Sequence, residues 1–258
     1  RFGGKGSVKS GLIALHGEAG YQPNVLRGGL HWLMPIQYVV HMSPLVTIPQ
    51  GKIGYIFARD GKPLEPAQVL ASNVTARNYQ DVEDFLANGG QRGPQRLILR
   101  EGTYAFNLVQ FVVITEGRVY SLPLSREDVD TIQKMAEVIT ERHGFRPVII
   151  KDTDDLVGII TVHDGPSLRQ GEIIAPTVGD DPGQADTYHN KFQDPDRFLA
   201  AGGFRGRQLQ VLVEGTYYVN RLFATVETIQ KTIIEVGNVG VVVSYTGETG
   251  ADRSGLEY

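Results

Sequence analysis

Hydrophobic positions along this chain come in short runs. Five of them, Ile53 to Phe57, Val109 to Ile114, Val148 to Ile150, Val157 to Val162 and Val239 to Val243, are rich in Val, Ile and Tyr. Such residues suit a pleated, half-buried surface, so each run predicts a strand. The period changes over residues 125–143, where Val129, Ile132, Met135, Ala136 and Ile139 form one stripe at helical spacing. Ser125 can cap this amphipathic helix, Gly144 can stop it, and Asp130–Lys134 is a favourable i,i+4 pair. Two shorter helices are predicted after Asp81 and Asp194. Each has an N-cap residue at its start, Phe85-Leu86 or Phe198-Leu199 as apolar anchors, and paired glycines at its end. Asp60-Gly61 and Asp164-Gly165 read as hairpin turns.

These elements recur. QDVEDFLANGGQRGPQRLILREGTYAFN (80–107) and QDPDRFLAAGGFRGRQLQVLVEGTYYVN (193–220) align without a gap at an offset of 113 residues and share 16 of 28 positions. Unrelated segments of that length share about two, so this is a duplication. A divergent third copy, Gly20 to Val40, aligns with Gly93 to Val113; Gly20, Gln22, Leu26, Arg27, Gly29, Gln37, Val39 and Val40 match. The chain therefore divides into the end of a preceding module (1–45), a first full module carrying the inserted helix (46–146), a second full module (147–230) and the start of a further one (231–258). The predicted fold class is α+β: mainly β with short helices, as tandem small β modules with one inserted amphipathic helix.

Composition narrows the function. A net charge of −4 gives no basic face for general nucleic-acid binding. With no cysteine there are no disulfides, thiolate nucleophiles or cysteine metal sites, which fits a reducing compartment or a bacterial protein. The most apolar stretch, Leu30 to Pro49, is broken by His31, Pro35, Gln37, His41 and Pro44, so no membrane span is predicted. The chain begins at Arg1, and any membrane anchor is expected outside it.

Candidate chemistry is sparse. The six histidines show neither HxH nor HExxH spacing, and Asp152 to Asp155 and Asp180-Asp181 match no calcium loop, so no catalytic, cofactor or metal residues are assigned. Arg92-Gly93 and Arg205-Gly206 are weak candidates for an anion-binding loop. Gly102-Thr103-Tyr104 and Gly215-Thr216-Tyr217, with Gly29 as their counterpart in the first copy, read as structural turns in which glycine takes a positive φ and tyrosine packs inward. Exposed Trp32, Tyr104, Tyr217 and Tyr218 are the candidates for a small-ligand or carbohydrate platform.

The run Arg27 to Pro49, with Gly28, Gly29, His31, Trp32, Pro35, Val39, Val40 and Met42, resembles the start of SPFH (Band 7, flotillin-like) proteins. The tandem Gly-Thr-Tyr-x-x-Asn copies are similar to those of long bacterial flotillin-like proteins and, more distantly, to the β-repeats of the major vault protein. That resemblance implies a membrane-associated, non-catalytic scaffold that forms rings or cages as a homo-oligomer, anchored through a segment outside this chain. The alternative is a β module that binds a small ligand or carbohydrate.

Overall fold

β-branched and aromatic runs become strands wherever a second run can cover them, and in this chain the partner often lies far along the sequence. The computed structural model describes residues 11–74, 76–124 and 126–244, the side chains of 126–128 excepted. Among the described residues there are eleven strands: β1 Val46–Ile48, β2 Tyr55–Ala58, β3 Gly93–Pro94, β4 Gly102–Tyr104, β5 Phe111–Thr115, β6 Arg118–Tyr120, β7 Val148–Ile150, β8 Leu156–Val162, β9 Gly206–Leu212, β10 Gly215–Tyr217 and β11 Ala224–Gln230. The helices are α1 Val82–Ala87, α2 Arg126–Glu141 and α3 Pro195–Ala200. The fold is α+β and mainly β, with small antiparallel sheets.

The duplication is exact at the level of register. β1 pairs with β4 so that Ile48 faces Gly102 and Val46 faces Tyr104, and β7 pairs with β10 so that Ile150 faces Gly215 and Val148 faces Tyr217. β2 lies between β3 and β5, and β8 between β9 and β11, with Ala58 opposite Phe111 and Val162 opposite Ala224. The antiparallel neighbours of β2 and β8 are thus distant in sequence. This corrects the hairpin reading of Asp60-Gly61 and Asp164-Gly165, because no hairpin turns there.

Each short helix is built as its end signals require. The side chains of Asp81 and Asp194 accept from the amides of Asp84 and Arg197, and Pro195 fills the first helical turn. The amides of Gly90 and Gly203 close on the carbonyls of Phe85 and Phe198. A helix of six residues has no independent stability, so its buried ring holds it in place. Phe85 meets Tyr79 and Phe111 at 5.7 and 5.0 Å, and Phe198 meets Phe192, His189 and Phe223 at 5.4, 5.4 and 5.6 Å. Leu86 and Leu199 flank these rings half-buried. The second module carries alanine (Ala224) at the position of Phe111 and places the third ring one residue earlier, at Phe223.

Ahead of each helix three consecutive residues adopt left-handed backbone: Arg77-Asn78-Tyr79, and Asn190-Lys191-Phe192 at the same offset of 113. Left-handed geometry costs about 1–2 kcal/mol per residue for side chains with a Cβ. The turn persists because it drives Tyr79 and Phe192 into the two cores, where both are fully buried.

The inserted α2 packs on the face of the β2–β5 sheet opposite α1, where Tyr218 and Leu222 of the second module also pack. Ile132, Met135 and Ile139 are buried against Ile53, Tyr55, Phe57, Val112 and Ile114. Val129, expected in the same stripe, is exposed and belongs to the solvent face. Ser125, the predicted cap, is outside the described residues.

Truncating Phe198 to Ala leaves a cavity at the centre of the second aromatic cluster. The expected cost is about 3–5 kcal/mol, read as a lower urea midpoint, with a smaller loss for Leu199→Ala. A second expectation concerns His189. Its Nε2–H donates to Val178 O at 2.8 Å while Nδ1 accepts from the amide of Phe192 at 2.8 Å, which holds the ring neutral. Burial lowers its pKa below the ordinary histidine value. The unfolded chain therefore binds more protons on the acid side, so this group's contribution is complete above about pH 6.5 and is lost as pH falls towards its folded value. The urea midpoint should be lower at about pH 5.5 than at about pH 7.5, and His189→Gln should shrink that difference.

Candidate functional site

One pair of recurring residues lies at the junctions between modules. Asn107 and Asn220 end the two copies of the repeat. The Asn220 amide donates to the carbonyls of Gln95 and Arg96 at 3.2 and 2.8 Å, while its oxygen accepts from the amides of Leu222 and Phe223. Asn107 does the same one module earlier, donating to Gln22 and Pro23 at 2.9 and 3.0 Å and accepting from Val109. Gln22-Pro23 occupies the repeat position of Gln95-Arg96. Each module is therefore stapled by its asparagine to the same two carbonyls of the module before it.

A second link runs beside the first. Asp164 accepts from the amide of its neighbour Gly165 and, across the junction, from Val69 at 3.1 Å. Asp60 accepts from Gly61 and, across the earlier junction, from Leu12 at 2.5 Å. These contacts carry an apolar insertion from one module into the next. Leu70 lies fully buried in the core of the second module, and Ile13 lies buried in the core of the first. The adjoining alanines, Ala14 and Ala71, seat their amides on Tyr21 and Pro94. Asp60 and Asp164 thus cap a chain entering from a neighbour and do not turn a hairpin.

The middle junction also carries buried charge. Arg96 extends from the first module to Asp164 (3.1 Å) and Asp196 (2.7 Å) of the second, with Ser72 Oγ at 3.0 Å. Two carboxylates and a hydroxyl satisfy the guanidinium of Arg96, a residue that is 8 % exposed, as burial of such a charge requires. Arg100 lies over the ring of Tyr218, 3.2 Å from its centroid. The Tyr55 hydroxyl donates to Gly144 O at 2.7 Å and accepts from the amide of Arg221, and burial raises its pKa well above the ordinary tyrosine value.

The glycine–threonine–tyrosine motif serves the strand ends. Gly102 and Gly215 both sit at φ +150°, and the hydroxyls of Tyr104 and Tyr217 donate to Arg100 O and Val213 O four residues back. Gly29 repeats this at φ +153°, with His31 Nε2 donating to Arg27 O in place of the tyrosine hydroxyl. Thr103 and Thr216 face Thr47 and Ile149 across the strand pairs. The motif begins a short strand and is not a free turn. Gln80 and Gln193, identical in both copies, accept from Ala105 and Tyr218 and tie the helix entry to this strand.

The remaining candidates fall elsewhere. Of the four aromatics, Tyr217 is buried, Tyr218 lies under Arg100, Tyr104 packs on Phe106, and Trp32 stands exposed. The Arg92 and Arg205 amides donate to Lys62 O and Pro166 O, so the anion-loop reading loses those donors. Among the described residues no group of three or more His, Asp or Glu could hold a metal ion, and no helix is long and apolar enough to cross a membrane.

Replacing Asn220 with Ala leaves the Gln95 and Arg96 carbonyls buried without their donor and should cost about 1–3 kcal/mol. Asp164→Ala should in addition speed hydrogen exchange at the Val69 amide, observable by NMR, with the amides inside β5 unaffected.

No protein-family model, no curated protein and no solved structure matches this chain.

Proposed function

We propose that this chain is a non-catalytic scaffold segment of a self-assembling, membrane-associated protein of the SPFH, flotillin-like kind, attached to the membrane through an anchor outside residues 1–258. The observation that carries the reading is the recurring staple: Asn107 and Asn220 each join a module to its predecessor through the same two backbone carbonyls. Modules joined in this way form a quasi-one-dimensional stack in which each buries surface against its neighbour. Asn107 and Asn220, singled out by their recurrence, serve this stacking. The burial of Tyr217 and the covering of Tyr218 weigh against a carbohydrate platform built on those rings.

Static light scattering on the 258-residue chain, from micromolar to near-millimolar concentration, tests the reading. Mass above the monomer that grows with concentration is expected, and a monodisperse monomer throughout would overturn it.

A further inference from the structure

Two equally buried arginines of this protein are treated differently. Arg96 and Arg221 are 8 % and 7 % exposed. Arg96 lies between two carboxylates and a hydroxyl. The Arg221 guanidinium has no hydrogen bond and no ion pair among the described residues, and its Nε is buried without a partner. A guanidinium keeps its proton in proteins, and an isolated buried charge is strongly destabilising unless opposite charge meets it. Packing does not call for the charge. Position 221 corresponds to Leu108, which lies buried in the core of the first module.

The groups around Arg221 are already engaged. Its stem runs against Gly144 just past α2, where a Cβ would lie 3.0 Å from Arg221 Cγ and 2.7 Å from Tyr55 Oη. The last carbonyls of a helix carry partial negative charge that would suit a cation. Here Val138 O, Ile139 O and Thr140 O accept from the amides of Arg142, Gly144 and His143, and Gly144 O accepts from the Tyr55 hydroxyl. Burial keeps that phenol protonated, so it brings no negative charge. A second cation stands in the same seam. Arg142 Nη1 donates to Arg221 O at 2.9 Å, and among the described residues Arg142 has no carboxylate partner either. Burial, and then the Arg142 charge, hold the ring of His163 below the ordinary histidine pKa, so it is neutral near pH 7.

We infer that the seam between the end of α2 and the entry to β11 binds a small oxyanion of the phosphate class, with Arg221 and Arg142 supplying the positive charge. The planar fork of a guanidinium matches the oxygens of such an ion. The slight exposure of Arg221 admits a free ion and offers no surface on which a protein segment or a membrane could lie. Arg142 belongs to the inserted helix and Arg221 to the second module, so the bound ion ties the insertion to the module that follows it. The site stands apart from the scaffold reading and does not depend on it.

Inorganic phosphate is the probe, titrated into the 258-residue chain against chloride at constant ionic strength. The Arg221 Nε–H resonance should shift saturably with phosphate, and Tm should rise as the ion binds the folded state. Arg221→Leu, which supplies the residue found at this place in the first module, should keep its stability in chloride and bind phosphate about tenfold more weakly. Arg142→Gln retains a donor for Arg221 O without the charge and should weaken binding about fivefold. An Nε–H resonance indifferent to phosphate would overturn the site whatever the variants do. Equal phosphate binding by the native chain and Arg221→Leu would place the ion elsewhere and overturn it too. Vesicles bearing phosphatidic acid separate the two sources of such a group. Cosedimentation that Arg221→Leu abolishes would put the phosphate on a lipid and overturn the free ion as the occupant.

Discussion

A carboxylate that accepts a backbone amide from the neighbouring module is the contact on which the rest of this architecture depends. Asp164 holds the amide of Val69, and the next residue, Leu70, then enters the core of the second module. Asp60 holds Leu12, and Ile13 enters the core of the first. A module of this size buries little on its own, and small domains are marginal for that reason. The inserted side chain supplies part of the missing core, and the carboxylate ends an otherwise orphaned segment of backbone. The neighbouring module is therefore a component of the fold and not an accessory to it.

The two links differ in what they tolerate. The asparagine staple reads backbone carbonyls, so the residues bearing those carbonyls can vary, and Gln22-Pro23 and Gln95-Arg96 both serve. The guanidinium of Arg96 instead demands particular partners. Asp196 takes Arg96, whereas Glu83 at the equivalent place accepts from the side-chain Nδ2 of Asn24. General stacking is thus carried by backbone recognition. The middle junction adds a buried ion pair that gains geometric definition more than net stability, since desolvation offsets much of the attraction.

Much of this was legible in the sequence because identical physical demands preserved identical residues. The two short helices, with their aspartate caps and glycine stops, follow from patterns that act locally. What escaped was long-range. Asp-Gly favours a turn because aspartate bonds the following amide, and Asp60 and Asp164 do bond Gly61 and Gly165. The other half of each carboxylate reaches another module, which no local pattern reports. The Leu12-Ile13-Ala14 and Val69-Leu70-Ala71 insertions are too short and too unevenly spaced to stand out. Gln80, Gln95 and Asn107 did carry a signal, since each is identical in the second copy at Gln193, Gln208 and Asn220. Val129 was misread because two turns of a helix leave its position at the margin of the apolar stripe.

The asymmetry between copies gives the array a direction. Each full module offers an asparagine backwards and a pair of carbonyls forwards, so the two ends of a stack cannot be equivalent. The first copy keeps the forward offer, Gln22-Pro23, but replaces the backward one with Met34. A methionine is flexible and apolar and can cover a neighbour without specifying it. Junctions within the chain are thereby specified by hydrogen bonds from one recurring position, occupied by Asn107 and Asn220 in the full modules and by Met34 in the first copy.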